Sequence, residues 1–339
     1  MALPEPVLSA LPVVGPLVDR FGRRHTYLRV SVTDRCNYRC VYCLPAEGVR
    51  WMPRDHLLSY EEIARLVRVF ARLGVTGVRL TGGEPTVRRD LPDLIAALSA
   101  IEGIEDIAMT TNGHLLAGHA SELARAGLRR VNISLDTLDP ERFKALTRGG
   151  RVDRVLAGIE AALAAGLGPV KINCVVVRDH NEDDVVELVR HFGAWPDRVV
   201  VRFIEKMPFR NEGWQVVPSA VLRERLSREL TLEPVPRAVG QGPAGNWRVA
   251  ETGQLLGFIS PMTEHFCQAC NRLRLGADGD LRTCLSRDDT PNLRDTLREG
   301  IDDDALEQLL RRMVWGKVAG HEAHTGARAF EGVMTQIGG

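Results

Sequence analysis

The stretch Tyr27-Leu28-Arg29-Val30-Ser31-Val32-Thr33-Asp34-Arg35-Cys36-Asn37-Tyr38-Arg39-Cys40-Val41-Tyr42-Cys43 opens as an alternating strand and runs straight into three cysteines spaced C-x-x-x-C-x-x-C. Three thiolates that close together can hold a metal centre, but they leave a four-coordinate site one ligand short. In an iron–sulfur cube that shortage leaves one iron open to a ligand from outside the protein. An open position lets a metal site do chemistry rather than only hold a fold. A structural zinc wants four closed ligands, and no further Cys or His follows this loop until His56.

Outward from this loop a strand-then-helix unit repeats. Ser59-Tyr60-Glu61-Glu62 is a capping box, in which the Ser hydroxyl and the Glu three residues on satisfy orphan helix amides. The helix it predicts carries Ile63, Leu66, Val67, Phe70 and Leu73 on one face and stops at Gly74. Further strands are predicted over 77–80, 106–110, 130–135, 170–177 and 199–204. Helices are predicted near 91–98, before Gly127, up to Gly166 and near 183–192. Six strands with intervening helices imply one parallel sheet, either open and doubly wound or curled into an incomplete barrel. The unusual residues fall at strand ends: the cysteine loop, Thr81-Gly82-Gly83-Glu84-Pro85, Thr111-Asn112-Gly113, then Ser134 and Asp136. In α/β architectures sites gather at that carboxyl edge.

After Met207 the pattern changes. A helix near 221–230 precedes short strands near Trp247 and over 255–259. Then come Cys267 and Cys270, a turn at Ala277-Asp278-Gly279-Asp280, and Cys284. Asp-Gly between alternating apolar residues predicts a two-residue hairpin turn, folding Cys284 back towards Leu273 and completing a second triad. His265 offers a fourth ligand, so a Cys3His zinc knot competes with a cluster there. A last helix is predicted over 305–314. Cys174 lies in an apolar strand and reads as core. Residues before Tyr27 lack periodicity and read as an extension packed on the main body.

The 339 residues carry 44 Lys plus Arg against 44 Asp plus Glu, a formal net charge of zero. That balance gives no sign of a nucleic-acid coat or a polybasic membrane anchor. Glu5, Pro12 and Pro16 spoil a secretory signal, and no apolar run approaches a membrane span. The seven cysteines therefore read as cytoplasmic thiols used for metal or redox work. Arg29, Arg79, Lys171 and Arg202 interrupt apolar strand patterns, where a buried cation is costly unless paired. Four of them facing one site suggest an anionic ligand, with guanidiniums suited to bidentate phosphate contact. Arg272 and Arg274 add to that set, whereas Arg282 reads as the solvated face of the hairpin.

Together these residues resemble the radical S-adenosylmethionine enzymes, whose cluster motif is C-x-x-x-C-x-x-C. More narrowly they resemble the GTP 3′,8-cyclase (MoaA) family, which opens molybdenum-cofactor biosynthesis. The resemblance rests on Leu28 to Cys36, Arg79 to Pro85, Cys267 to Arg274 with Cys284, and the terminal Gly338-Gly339. It implies an incomplete (β/α)6 TIM-type barrel over 27–207, an N-terminal extension over 1–26, and a C-terminal iron–sulfur domain over 208–339. It implies that Cys36, Cys40 and Cys43 hold one [4Fe–4S] cluster, whose open iron chelates S-adenosylmethionine. Cys267, Cys270 and Cys284 are implied to hold a second, where the guanine of GTP binds. Tyr42, Gly83, Ser134 and Met207 match cofactor-contacting positions. Arg29, Arg79, Thr110, Lys171, Arg272, Leu273 and Arg274 match GTP-contacting ones, and Arg202 joins them.

The implied chemistry starts with reductive cleavage of the sulfonium. The 5′-deoxyadenosyl radical takes hydrogen from C3′ of GTP, and the C3′ radical then attacks C8 of guanine. Gly338 and Gly339 are implied to enter the site and support radical initiation. The resemblance also implies an external electron donor and delivery of product to the next pathway enzyme, cyclic pyranopterin monophosphate synthase. A homodimer is compatible with it. The residues alone also admit a peptide-modifying radical enzyme, a two-cluster electron carrier or a zinc-stabilised binding module.

Overall fold

The computed structural model of the chain describes residues 11–207, 215–236, 242–285, 291–320 and 334–335. Six strands follow one another in space as they do in sequence: β1 (Tyr27–Ser31), β2 (Gly77–Thr81), β3 (Asp106–Thr111), β4 (Arg130–Ser134), β5 (Val170–Val176) and β6 (Val199–Glu205). Neighbouring members of this set pair in parallel. Between them run α1 (Tyr60–Arg72), α2 (Leu91–Ser99), α3 (Ala120–Arg125), α4 (Pro140–Thr147), α5 (Val152–Ala164) and α6 (Val185–Phe192). This is the incomplete (β/α)6 barrel.

Later segments add to both edges of that sheet. After α7 (Ser219–Ser227) come β7 (Leu232–Val235), β8 (Gly245–Val249) and β9 (Leu255–Ile259). β9 pairs parallel to β6, and β8 and β7 follow antiparallel. At the other edge β10 (Arg272–Leu275) pairs parallel to β1, with β11 (Leu281–Arg282) antiparallel beyond it. Among the described residues the 11-stranded sheet therefore ends at β11 and β7, without closing on itself. Two helices, α8 (Leu293–Arg298) and α9 (Asp303–Trp315), complete the described elements.

Period-2 alternation divides each strand between two environments. Val170, Ile172, Cys174 and Val176 of β5 are buried in the hydrophobic core beneath the helices, whereas Lys171, Asn173 and Val175 face the barrel interior. β10 divides likewise: Leu273 and Leu275 join the core, and Arg272 and Arg274 face inward. Such barrels commonly fill their interior with branched apolar side chains. Here the inward positions are largely cationic and polar, so the interior is a chamber and the apolar core lies outside the sheet.

Local signals act as expected at most boundaries. Ser59 Oγ accepts the Glu62 amide at 3.1 Å, and the Glu62 carboxylate accepts the Ser59 amide at 2.7 Å. Gly74, Gly127 and Gly166 adopt positive φ just past helix ends. Cys174 is fully buried core.

The hairpin differs from the two-residue turn. Leu275 pairs with Leu281, leaving a loop over 276–280. The reason is that the start of α8 docks on it. Asn292 Nδ2 donates to Asp280 Oδ1 at 2.7 Å and to the Asp278 carbonyl at 3.0 Å, while the Leu293 amide donates to the Gly279 carbonyl at 2.9 Å. The register runs Arg274 to Arg282, and extending it sets Cys284 opposite Arg272.

Replacing Ser59 with Ala removes one half of the capping box. Urea denaturation is expected to show a loss of about 1 kcal/mol of stability, with the barrel interior unaffected.

Candidate active site

The cysteine loop leaves the carboxyl end of β1 and is gripped by the loop that follows β2. Gly83 and Glu84 amides donate to the Thr33 and Arg35 carbonyls, each at 2.8 Å. A Cβ on Gly83 would lie 2.2 Å from the Arg35 carbonyl oxygen, and one on Gly82 would lie 2.5 Å from that of Thr33. Both glycines are thus required by the approach of one loop to another. Glu84, 1% exposed, extends the grip to β3. Its carboxylate accepts the Thr111 hydroxyl at 2.7 Å, the Asn112 amide at 2.6 Å and the Thr86 hydroxyl at 2.6 Å. On the other side, the Arg39 and Val41 amides donate to the Thr147 and Leu146 carbonyls at the end of α4.

The second triad sits against the amino end of β1. Cys267 opens a 3-10 turn, and the Cys270 amide closes it on the Cys267 carbonyl at 3.2 Å. The Tyr27 amide donates to the Asn271 carbonyl at 3.3 Å, and Asn271 Nδ2 donates to Thr26 Oγ1 at 3.0 Å. Cys36, Cys40, Cys43, Cys267, Cys270 and Cys284 all line one cavity of about 630 Å³. That volume suits a small-molecule site.

Between the triads the strand register sets cations abreast. Arg274, Arg29 and Arg79 are direct neighbours across β10, β1 and β2. Lys171 and Arg202 continue the lining on β5 and β6. The Arg79 guanidinium donates to the Tyr27 hydroxyl at 2.7 Å and Thr110 Oγ1 at 3.4 Å. Arg202 donates twice to Asn173 Oδ1, at 2.9 and 2.5 Å. Those partners are neutral, and among the described residues no carboxylate forms an ion pair with Arg79, Lys171 or Arg202. Burial, reinforced by repulsion from Arg202, Arg130 and Arg79, brings the Lys171 amine down to about 7. Burial and then Arg79 press Arg202 down to about 9, which leaves it charged at neutral pH. Like charges side by side are destabilising, and a bound polyanion relieves the repulsion.

Beside the first triad, the Tyr42 hydroxyl donates to Asp136 Oδ2 at 2.6 Å. Burial raises the Asp136 carboxyl to about 6, although the Tyr42 hydroxyl and the Val175 amide oppose the shift. Gly83, Ser134, Met207 and Thr110 line the same cavity. Ser134 does not cap α4, because Asp139 does so, accepting the Arg142 amide. Leu273 is placed differently from the other expected contacts: its side chain is fully buried in the core, and only its neighbours Arg272 and Arg274 line the chamber. Gly338 and Gly339 lie outside the described residues. The sequence reading missed the Arg130–Asp106 pair at the amino end of the strands, where Arg130 Nε donates to Asp106 Oδ1 at 2.9 Å. A strand-opening Arg carries no sequence signal that separates it from a solvated one.

Among the described residues no three His, Cys, Asp or Glu converge closely enough for one metal ion, as a structural zinc requires. Burial pushes the Cys36 thiol up to about 11, with the Glu84 carboxylate adding to it, and the Cys43 thiol up to about 12, with Cys36 adding to it. Cys270 goes the other way: burial works to raise it, but Lys317 and Arg272 bring it down to about 6. Cys270 is thus prepared as a thiolate, whereas Cys36 and Cys43 would need a bound cationic group to displace their protons.

Comparison with known proteins agrees with this geometry. The family model described as Radical SAM superfamily matches residues 30–192, and the one described as Molybdenum Cofactor Synthesis C matches residues 199–323. A GTP 3′,8-cyclase of Moorella thermoacetica is 45% identical over 324 residues, covering 95% of this chain and 99% of its own. The mitochondrial GTP 3′,8-cyclase of Arabidopsis thaliana is 43% identical over 332 residues, covering 97% of this chain and 85% of its own. Among solved structures, Streptococcus suis SuiB bound to S-adenosylmethionine shares the fold, with a TM-score of 0.55 and 18% identity. That match covers 77% of this chain and 60% of SuiB.

The Lys171 amine predicts a pH dependence. Protonated below about 7, it would attract a polyanion, and that attraction would fade as pH rises through 7. Calorimetry with inorganic triphosphate is expected to show affinity falling up to about tenfold between about pH 6 and about pH 8. Lys171→Arg, charged throughout, is expected to flatten the profile.

Proposed function

The chain belongs to the GTP 3′,8-cyclase family of radical S-adenosylmethionine enzymes, and from that premise we propose how its chamber converts GTP to the 3′,8-cyclised nucleotide at the entry to molybdenum-cofactor synthesis. The observation that carries the reading is that both cysteine triads line one cavity with the row of cations between them. Cys36, Cys40 and Cys43 hold a [4Fe–4S] cluster, and Cys267, Cys270 and Cys284 hold a second. When bound, the first cluster supplies the electron that splits the sulfonium of S-adenosylmethionine, the source of the radical that acts on GTP.

The protein's own part is placement and electrostatics. Tyr42, Gly83, Ser134 and Met207 contact S-adenosylmethionine. The Tyr42 ring is fixed for that by its hydroxyl bond to Asp136. Arg29, Arg79, Lys171, Arg202, Arg272 and Arg274 grip the triphosphate, with Thr110 and the Leu273 main chain beside it. Burial strengthens these charge-assisted bonds. Holding cofactor and nucleotide from opposite ends leaves the ribose between them, oriented and shielded from water. Gly338 and Gly339, outside the described residues, are proposed to support radical initiation. The cationic row favours a triphosphate over the peptide substrate of a modifying enzyme.

We further propose an external one-electron donor, product transfer to cyclic pyranopterin monophosphate synthase, and a cytoplasmic setting. Supporting the last, none of the cysteines forms a disulfide. Among the described residues no helix is long and apolar enough to cross a membrane.

Anaerobic assays test the assignment. Cys36→Ala is expected to abolish S-adenosylmethionine cleavage. Cys284→Ala is expected to lower iron from about eight to about four per chain, retaining the first cluster but forming no cyclised product. Normal product formation by that variant would refute the role given to the second triad. Deleting Gly338 and Gly339 is expected to preserve iron and lose turnover; full turnover would leave the tail without a catalytic part.

A further inference from the structure

We propose that Lys317 is a positioning residue for the second cysteine triad, and that its charge sets the electron affinity of the group held there. The inference rests on the two-cluster reading and adds a function to a residue that reading does not use. Lys317 is 2% exposed. Its Nζ donates to the Arg272 carbonyl at 2.7 Å and to Cys270 Sγ at 3.6 Å. No carboxylate among the described residues forms an ion pair with it. A buried ammonium without a counter-charge is costly. Here the anion in reach is the sulfur of a proposed cluster ligand.

The lysine is held in place from both sides. Its amide donates to the Val314 carbonyl at 3.0 Å, at the end of α9. The two residues after it are fastened by Arg23, which donates to the Val318 carbonyl at 2.6 Å and the Ala319 carbonyl at 2.7 Å. The same guanidinium donates to the Cys267 carbonyl at 2.9 Å. Arg23 is itself fixed by Asp19, 2.6 Å away, and Asp19 also contacts His25 at 3.0 Å. Residues from both ends of the described chain thus hold the triad loop, and their charges divide the work. Arg23 is neutralised by Asp19 and acts on main chain. The Lys317 amine instead reaches sulfur, at Cys270.

Hydrogen bonds to ligand sulfurs and local net charge are main determinants of cluster potential. A cation at Cys270 favours the more negative, reduced state and raises the midpoint. The test uses the full-length protein, reconstituted anaerobically, as wild type, Lys317→Met and Lys317→Arg. Iron is quantified first, and EPR-monitored redox titration follows. The second-centre signal is the one absent from Cys284→Ala.

Lys317→Met is expected to shift the reduction equilibrium of that centre about tenfold towards the oxidised form, about 59 mV for one electron. Lys317→Arg is expected to restore the wild-type midpoint. An unchanged midpoint in Lys317→Met overturns the proposal while leaving the two-cluster reading intact. Iron for only one cluster in the wild type overturns that reading and the inference with it. If Lys317→Met loses the second cluster, Lys317→Gln carries the test: a lowered midpoint supports the role of charge, and a wild-type midpoint overturns it.

Discussion

Cations that stand abreast inside a barrel repel one another, and this constraint organises the molecule. Strand pairing leaves Arg274, Arg29 and Arg79 no freedom to spread, because their main chains are locked in register. Neutral groups such as the Tyr27 hydroxyl and Asn173 orient guanidiniums without cancelling their charge. The arrangement stores an electrostatic demand that a polyanion would satisfy. It also explains why the apolar core had to move outside the sheet. Leu66, Phe70, Leu94, Val155 and Leu188 pack there among the helices, so the interior is left for ligands.

The barrel was legible in the sequence because its signals are local. A capping box, glycines after helices and short apolar runs each act within a few residues, and all six barrel strands appear where those signals put them. The two triads were legible for the same reason, since spacing alone announces Cys36, Cys40 and Cys43. The hairpin loop was misread because its width is decided by Asn292, which lies outside the hairpin. Leu273 shows a different limit. A motif read as a string gives its three residues equal standing, whereas alternation along β10 sends the middle one into the core.

Arg23 and Lys317 were invisible because their partners are remote. Arg23 reaches carbonyls 244, 295 and 296 residues away, and no window of sequence holds both ends of such a bond. The stretch before β1, read only as an extension, is tied to the body by specific contacts. Leu17 donates its amide to the Leu73 carbonyl at 2.8 Å, and Arg23 then spans the Cys267 loop and the residues after α9. The Gly82-Gly83 pair repeats the lesson within the first triad: what crowds it is the Arg35 carbonyl of another loop.

One strand touches both triads. The first cysteine loop leaves the carboxyl end of β1, and the second packs on its amino end through Tyr27 and Asn271. β1 therefore acts as a ruler between the two triads, and five residues of extended chain measure about 17 Å. Such a ruler is graduated in whole residues. Adding one residue would lengthen the gauge by about 3.3 Å and turn the neighbouring side chains to the opposite face. Span and polarity are thus written into a single segment, and neither can drift without the other.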